Sequence, residues 1–156
     1  MNKIIEIKDN FLIGIGGNYI VITLGQDQDD LLKENRTIEK KKDDIDEDED
    51  KTINLKIFSG NIKHGNFSFD KNKCKILIGR GSDCDIIIED YMLSRFHCTI
   101  FFKNDKWFIC DGLIENNNYI KNSTNGTWLY AFEDNIIYDN MIFKSNNNLF
   151  ICSFEY

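Results

Sequence analysis

Residues 74–111 contain four apolar runs: Cys74-Lys75-Ile76-Leu77-Ile78, Asp85-Ile86-Ile87-Ile88, Cys98-Thr99-Ile100-Phe101-Phe102 and Trp107-Phe108-Ile109-Cys110. Each is too short for an ordinary helix, is rich in β-branched or aromatic residues, and is followed by Gly, Glu, Lys or Asp; that combination reads as strands. The pattern continues on both sides. Ile53, Leu55 and Ile57 alternate with Asn54 and Lys56, Phe67 and Phe69 flank Ser68, and further runs follow at 127–130, 136–143 and 149–154. No convincing helical period appears among them. The expectation is an all-β fold, a sandwich or barrel of short antiparallel strands. With no proline in the 156 residues, Gly and Asn must make the turns.

Two segments precede that region. Residues 1–25 are compact, with strand candidates at 4–7, 11–13 and 19–24 and a glycine-rich turn, Gly14-Ile15-Gly16-Gly17-Asn18, between the last two. A glycine loop that cradles phosphate needs a helix opening behind it. Ile20-Val21-Ile22-Thr23 follows instead, so a β-hairpin is expected. Residues 26–52 carry Asp43-Asp44-Ile45-Asp46-Glu47-Asp48-Glu49-Asp50. They bury too little apolar area to offset the entropy of ordering, and their like charges repel, which reads as an acidic flexible linker. The expected organisation is therefore a hairpin at 1–25, a linker at 26–52 and a domain at 53–156. Residues 9–24 also align without gaps on 139–154. Asp9-Asn10 falls on Asp139-Asn140, Asn18 on Asn148, and apolar positions coincide through both strands. The N-terminal hairpin thus reads as a repeat of the last one, as the remnant of a second copy would, and a lone hairpin must dock against something to be stable.

Charge and cysteine usage narrow the function. The formal net charge is −7 and the pI about 4.8, which disfavours nucleic acid, whose binders need a basic stripe, and acidic membrane surfaces alike. The five cysteines form no C-x-x-C pair, so no metal site and no cofactor are expected. Their odd number and the lack of a signal-like start point to a reducing, intracellular setting, cytoplasm or nucleus.

Four clusters then stand in order: Ile78-Gly79-Arg80 with Ser82-Asp83-Cys84; Leu93-Ser94-Arg95-Phe96-His97; Trp107-Phe108-Ile109-Cys110-Asp111; and Ser123-Thr124-Asn125-Gly126-Thr127. On a background of strands this order (G-R, S-x-x-H, N-G) resembles the forkhead-associated, or FHA, family across residues 53–156. The residue types make chemical sense of the likeness. A phosphomonoester carries a charge near −2 and three strong acceptor oxygens. A planar cationic fork, short hydroxyls and backbone N–H groups on rigid turns would receive it.

The resemblance implies an FHA-like β-sandwich that binds phosphothreonine peptides, as an interaction module in signalling or scaffolding and not as an enzyme. Its partners would be phosphothreonine-containing proteins. Arg80 resembles the arginine that meets the phosphate, and Ser94 the serine whose hydroxyl and amide hold another oxygen. Arg95 occupies a position that often adds a phosphate contact. Thr124 resembles the residue framing the phosphothreonine, and Asn125 the asparagine that bonds the peptide backbone. Gly79, His97 and Gly126 resemble the structural support of the site. His97 has no nucleophile signature around it, so a bracing role is expected rather than base catalysis.

Residues 112–122 are longer than the family's usual link, placing Lys121 as an additional cation near the binding edge or merely adding a protrusion. Met92, two before Ser94, suggests an apolar preference in the peptide. The linker carboxylates could occupy the pocket weakly, or Thr37 and Thr52 could become ligands once phosphorylated. The alternative reading is a structural or assembly β-domain that keeps the fold without binding phosphate. An enzyme fragment is the third, and no kinase or zinc-ring motif supports it.

Overall fold

Alternating apolar residues can be buried only if two sheets face each other, and this chain builds two. The computed structural model describes residues 4–25, 51–115, 120–130, 137–145 and 148–155. The fold is all-β, with no helix among the described residues, as the strand patterns led us to expect. Among the described residues fourteen strands run in chain order: β1 (Ile5–Glu6), β2 (Phe11–Ile15), β3 (Asn18–Leu24), β4 (Ile53–Ser59), β5 (Ile62–Phe69), β6 (Lys75–Gly79) and β7 (Ile86–Ile87). Then come β8 (Cys98–Lys103), β9 (Lys106–Asp111), β10 (Leu113–Ile114), β11 (Ile120–Lys121), β12 (Thr127–Leu129), β13 (Ile142–Ser145) and β14 (Asn148–Ile151).

One five-stranded sheet has the order β1-β9-β8-β6-β7 and the other β12-β2-β3-β4-β5. Ile76, Ile78, Ile86, Cys98, Ile100, Trp107 and Ile109 of the first face Ile13, Ile15, Ile20, Ile22, Ile53, Leu55 and Ile57 of the second in one core. Period-two alternation turns the other residues outward. On the outer face of the first sheet Phe101 and Phe108, paired across β8 and β9, stack with ring centroids 5.6 Å apart. The indole of Trp107 is buried, and its Nε1–H donates to the Lys51 carbonyl at 2.9 Å.

The structure draws the domain differently from the boundaries expected at 25 and 53. Residues 5–24 are not a separate hairpin but three strands of the two sheets. β1 pairs with β9, through Ile5 opposite Ile109, and the Ile7 N–H donates to the Trp107 carbonyl at 2.8 Å. β2 pairs with β12 on one side, and β3 with β4 along its whole length on the other. The cause is the marginal stability of an isolated hairpin: its four core-facing isoleucines are satisfied only inside a larger sheet. The glycine turn is also tighter than expected. Gly14 and Ile15 belong to β2, Asn18 belongs to β3, and only Gly16 and Gly17 bridge them, Gly16 at φ +55°.

The linker narrows in the same way. Residues 26–50, with Thr37 among them, lie outside the described residues. Lys51 and Thr52 are anchored instead: the Gly25 N–H donates to the Thr52 carbonyl at 2.9 Å and closes β3 against β4. The run expected at 136–143 is interrupted within its described part, 137–143. Asp139 and Asn140 make a turn, Asn140 at φ +60°, and β13 begins only at Ile142. The long segment after β9 becomes the short hairpin β10–β11, with 116–119 outside the described residues. Gly112 (φ +79°) starts it, where a Cβ would lie 1.9 Å from the Lys121 carbonyl oxygen.

Candidate functional site

Gly79 ends β6, and its lack of a side chain sets the geometry of one end of the sandwich. A Cβ there would lie 2.3 Å from the Arg95 carbonyl oxygen and 2.9 Å from that of Ser94. Without it the 93–97 loop lies directly on the 79–84 turn. The Arg80 N–H donates to the Ser94 carbonyl at 3.2 Å, the Gly81 N–H to Arg95 at 3.0 Å, and the Cys84 thiol also to Arg95 at 3.0 Å. Leu93 is buried and pins the loop to the core.

Arg80 is exposed and tied down at one point: its Nε–H donates to the Leu93 carbonyl at 2.7 Å. Among the described residues the two terminal nitrogens of its fork have no acceptor. The Ser94 hydroxyl donates to Thr124 Oγ1 at 3.2 Å and accepts the Thr124 N–H at 2.9 Å. The Thr124 hydroxyl hydrogen is thus left available. The structure therefore brings Arg80, Ser94 and Thr124, from three loops far apart in sequence, to the same end of the sandwich.

The remaining expected residues divide. Arg95 is exposed, and among the described residues its guanidinium has no bond or ion pair, while its carbonyl works for the fold. The Asn125 side-chain Nδ2 donates to the Met92 carbonyl at 2.7 Å, leaving Oδ1 as its outward acceptor. Gly126, at φ +78°, turns the chain into β12. Lys121 is exposed on β11, and Met92 and Tyr91 are exposed beside Ser94.

His97 braces the loops, and in doing so removes one donor expected for a ligand. The ring is fully buried, and Nδ1 accepts the Ser94 N–H at 3.1 Å, so that amide points inward and is not available to a phosphate. Nε2 lies 3.1 Å from the Gly126 carbonyl and carries the ring proton as donor. One neutral tautomer thus ties the Ser94 loop to the Thr124 loop.

Burial pushes the His97 pKa below the usual 6.5, although the Gly126 bond and the charges of Asp111 and Asp90 pull the other way. With the folded pKa depressed, the unfolded chain takes up the proton first. The stabilisation is complete above about 6.5 and is lost as pH falls toward the lower folded value. We predict that the urea midpoint drops as pH falls below about 6.5, and that His97→Gln flattens this part of the profile. An unchanged slope in the variant would assign the loss to the carboxylates.

Two aspartates that the sequence reading left without a role hold the site from beneath. Asp111, buried at the end of β9, accepts the Ser123 hydroxyl at 2.6 Å and the Thr127 hydroxyl at 2.9 Å through Oδ1, and the Ser123 N–H at 3.0 Å through Oδ2. Its signal was visible: a carboxylate at the end of an apolar strand, ahead of a Ser-Thr-Asn-Gly turn full of donors. Asp111→Ala would leave those partly buried donors without their acceptor, a loss of about 2 kcal/mol to be read from chemical denaturation. Asp90 accepts the Met92 N–H at 2.8 Å, the Gly17 N–H at 3.0 Å and Asn18 Nδ2 at 2.8 Å. Burial alone would raise its pKa, but these three bonds outweigh that and lower it. Two of its three partners, Gly17 and Asn18, sit in the N-terminal hairpin, so no local pattern could have revealed that tie.

The FHA domain model matches residues 76–149, the span that carries all four clusters and all three loops of the site. The chain carries an FHA domain. No curated protein and no solved structure gives a match. FHA domains are generally phosphopeptide-binding interaction modules rather than enzymes, and they bind phosphorylated protein partners. In this FHA domain the match begins at β6, whereas the strands completing the second sheet include β2 and β3 from outside it.

Proposed function

We propose that this FHA domain binds phosphothreonine peptides at the end of the sandwich formed by the 79–84, 90–97 and 123–127 loops, as an intracellular interaction module in signalling or scaffolding. One observation carries the reading. A guanidinium held by its Nε leaves its fork open beside a serine–threonine hydroxyl pair, and the Arg80 and Ser94 loops are tied to each other by backbone hydrogen bonds. Arg80 supplies two charge-assisted donors, the Ser94–Thr124 pair supplies a hydroxyl donor, and Arg95 adds a second cation. Asn125 Oδ1 receives a backbone N–H of the peptide. The exposed Met92 and Tyr91 offer apolar surface to a flanking peptide side chain.

At about 1.5–3 kcal/mol for each charged hydrogen bond, two or three such bonds and an ordered peptide backbone give affinity on the order of micromolar. The five cysteines, none of them bridged, fit a reducing compartment. The test is a peptide array in phosphothreonine, phosphoserine and unmodified forms. Retention of phosphothreonine peptides alone supports the reading. Equal retention of the unmodified peptides would leave the module as a structural or assembly β-domain.

A further inference from the structure

The C-terminal hairpin β13–β14 is built like the N-terminal hairpin β2–β3 yet lies outside both large sheets. The offset of 130 residues seen in the sequence holds bond for bond. Ile13 opposite Ile20 becomes Phe143 opposite Phe150, Gly14 opposite Tyr19 becomes Lys144 opposite Leu149, and Ile15 opposite Asn18 becomes Ser145 opposite Asn148. Asp9 Oδ1 accepts the Leu24 N–H at 2.9 Å, and Asp139 Oδ1 accepts the Phe154 N–H at 3.1 Å. Asn10 and Asn140 both adopt φ +60° and bond the aspartate before them.

Burial separates the two copies. Ile13 and Ile20 are 1% and 0% exposed, whereas Phe143 and Phe150 are 42% and 43% exposed. Ile7 is 3% exposed, and its counterpart Ile137 is 57% exposed. The second hairpin therefore has the pattern of a core element and no core. Among the described residues it pairs with no third strand.

We propose that the slot between β12 and β4 has two alternative occupants, β2–β3 and β13–β14, and that exchanging the first for the second switches the phosphopeptide site off. Both hairpins are tethered to the same sandwich, so the exchange is intramolecular. With the second hairpin in the slot, Phe143 stands opposite Leu129 where Ile13 now does, and Phe150 stands opposite Ile57 where Ile20 does.

The two occupants differ where they meet the site. A Cβ on Gly16 would lie 2.6 Å from Asp90 Oδ2 and 3.0 Å from Leu93 Cδ2, and the residue at the matching position is Asn146. A Cβ on Gly14 would lie 3.2 Å from the Tyr130 ring, and the matching residue there is Lys144. The first hairpin is thus the one shaped to the site, and the second must push the 90–93 loop outward. That loop presents the Leu93 carbonyl that holds Arg80 and the Met92 carbonyl that holds Asn125. Only the effect on affinity rests on the proposed function.

The test uses the full chain carrying Ile20→Asn, which disfavours the first occupant. Hydrogen exchange should move protection from residues 11–24 to 141–154, with β4, β8 and β9 still protected. Alkylation of Cys152, the counterpart of Ile22, should slow at the same time, and phosphothreonine-peptide affinity should fall at least tenfold. The double variant Ile20→Asn/Phe150→Asn should then lose protection throughout. Global unfolding of the single variant, or protection that stays on 11–24, overturns the exchange. Protection that migrates in a chain for which no form binds phosphopeptide leaves the exchange standing and sinks the proposed function instead.

Discussion

Gly79→Ala should abolish phosphopeptide binding and lower stability by at least about 3 kcal/mol, the upper range for overpacking a close contact. The added carbon would lie 2.3 Å from one carbonyl oxygen and 2.9 Å from another, and both belong to backbone. A flexible side-chain tip could swing aside; the 94–95 backbone moves only by breaking the bonds it receives from Arg80, Gly81 and Cys84. The displaced segment is the one carrying Ser94, so the stability loss and the binding loss share a cause. Calorimetry and peptide titration on the same preparation check it. A variant that keeps its midpoint and its affinity would show that the two loops are not in contact in solution.

Arg80→Ala should leave the fold intact and lower affinity for a phosphothreonine peptide roughly a hundredfold, the loss of two charge-assisted bonds at about 1.5 kcal/mol each. The side chain is exposed and makes one bond among the described residues, to the Leu93 carbonyl, so its removal costs the sandwich little. Arg80→Lys should recover only a small part of the affinity, because an ammonium cannot hold Leu93 through Nε while offering a planar fork. Fluorescence polarisation with labelled peptide, beside a thermal melt, separates binding from folding. Unchanged affinity in Arg80→Ala would remove the guanidinium from the site and with it the phosphate reading.

Much of this molecule is legible along the chain because strand patterns are local. The alternation of Ile53, Leu55 and Ile57, and the runs around Ile76, Ile100 and Ile109, announce strands without reference to any partner. The residues that the structure gathers at one end, Arg80, Ser94 and Thr124, belong to the motif clusters of the sequence. Their supports are less legible. Asp90 anchors the site loop by bonding to Gly17 and Asn18, more than seventy positions away. The inward turn of the Ser94 amide follows from where the His97 ring is buried, which no spacing reports.

Residues 5–24 mark the boundary between the two kinds of information. By itself the sequence determined that they form a hairpin with one apolar face and that a second hairpin of the same pattern lies 130 positions on. Only the tertiary structure decided which of the two enters the sheet, and therefore where the domain begins. Alternation specifies that a face must be covered but not by what. The choice between two equivalent hairpins depends on close approaches, Gly16 against Asp90 and Gly14 against Tyr130, that exist only once distant strands have met.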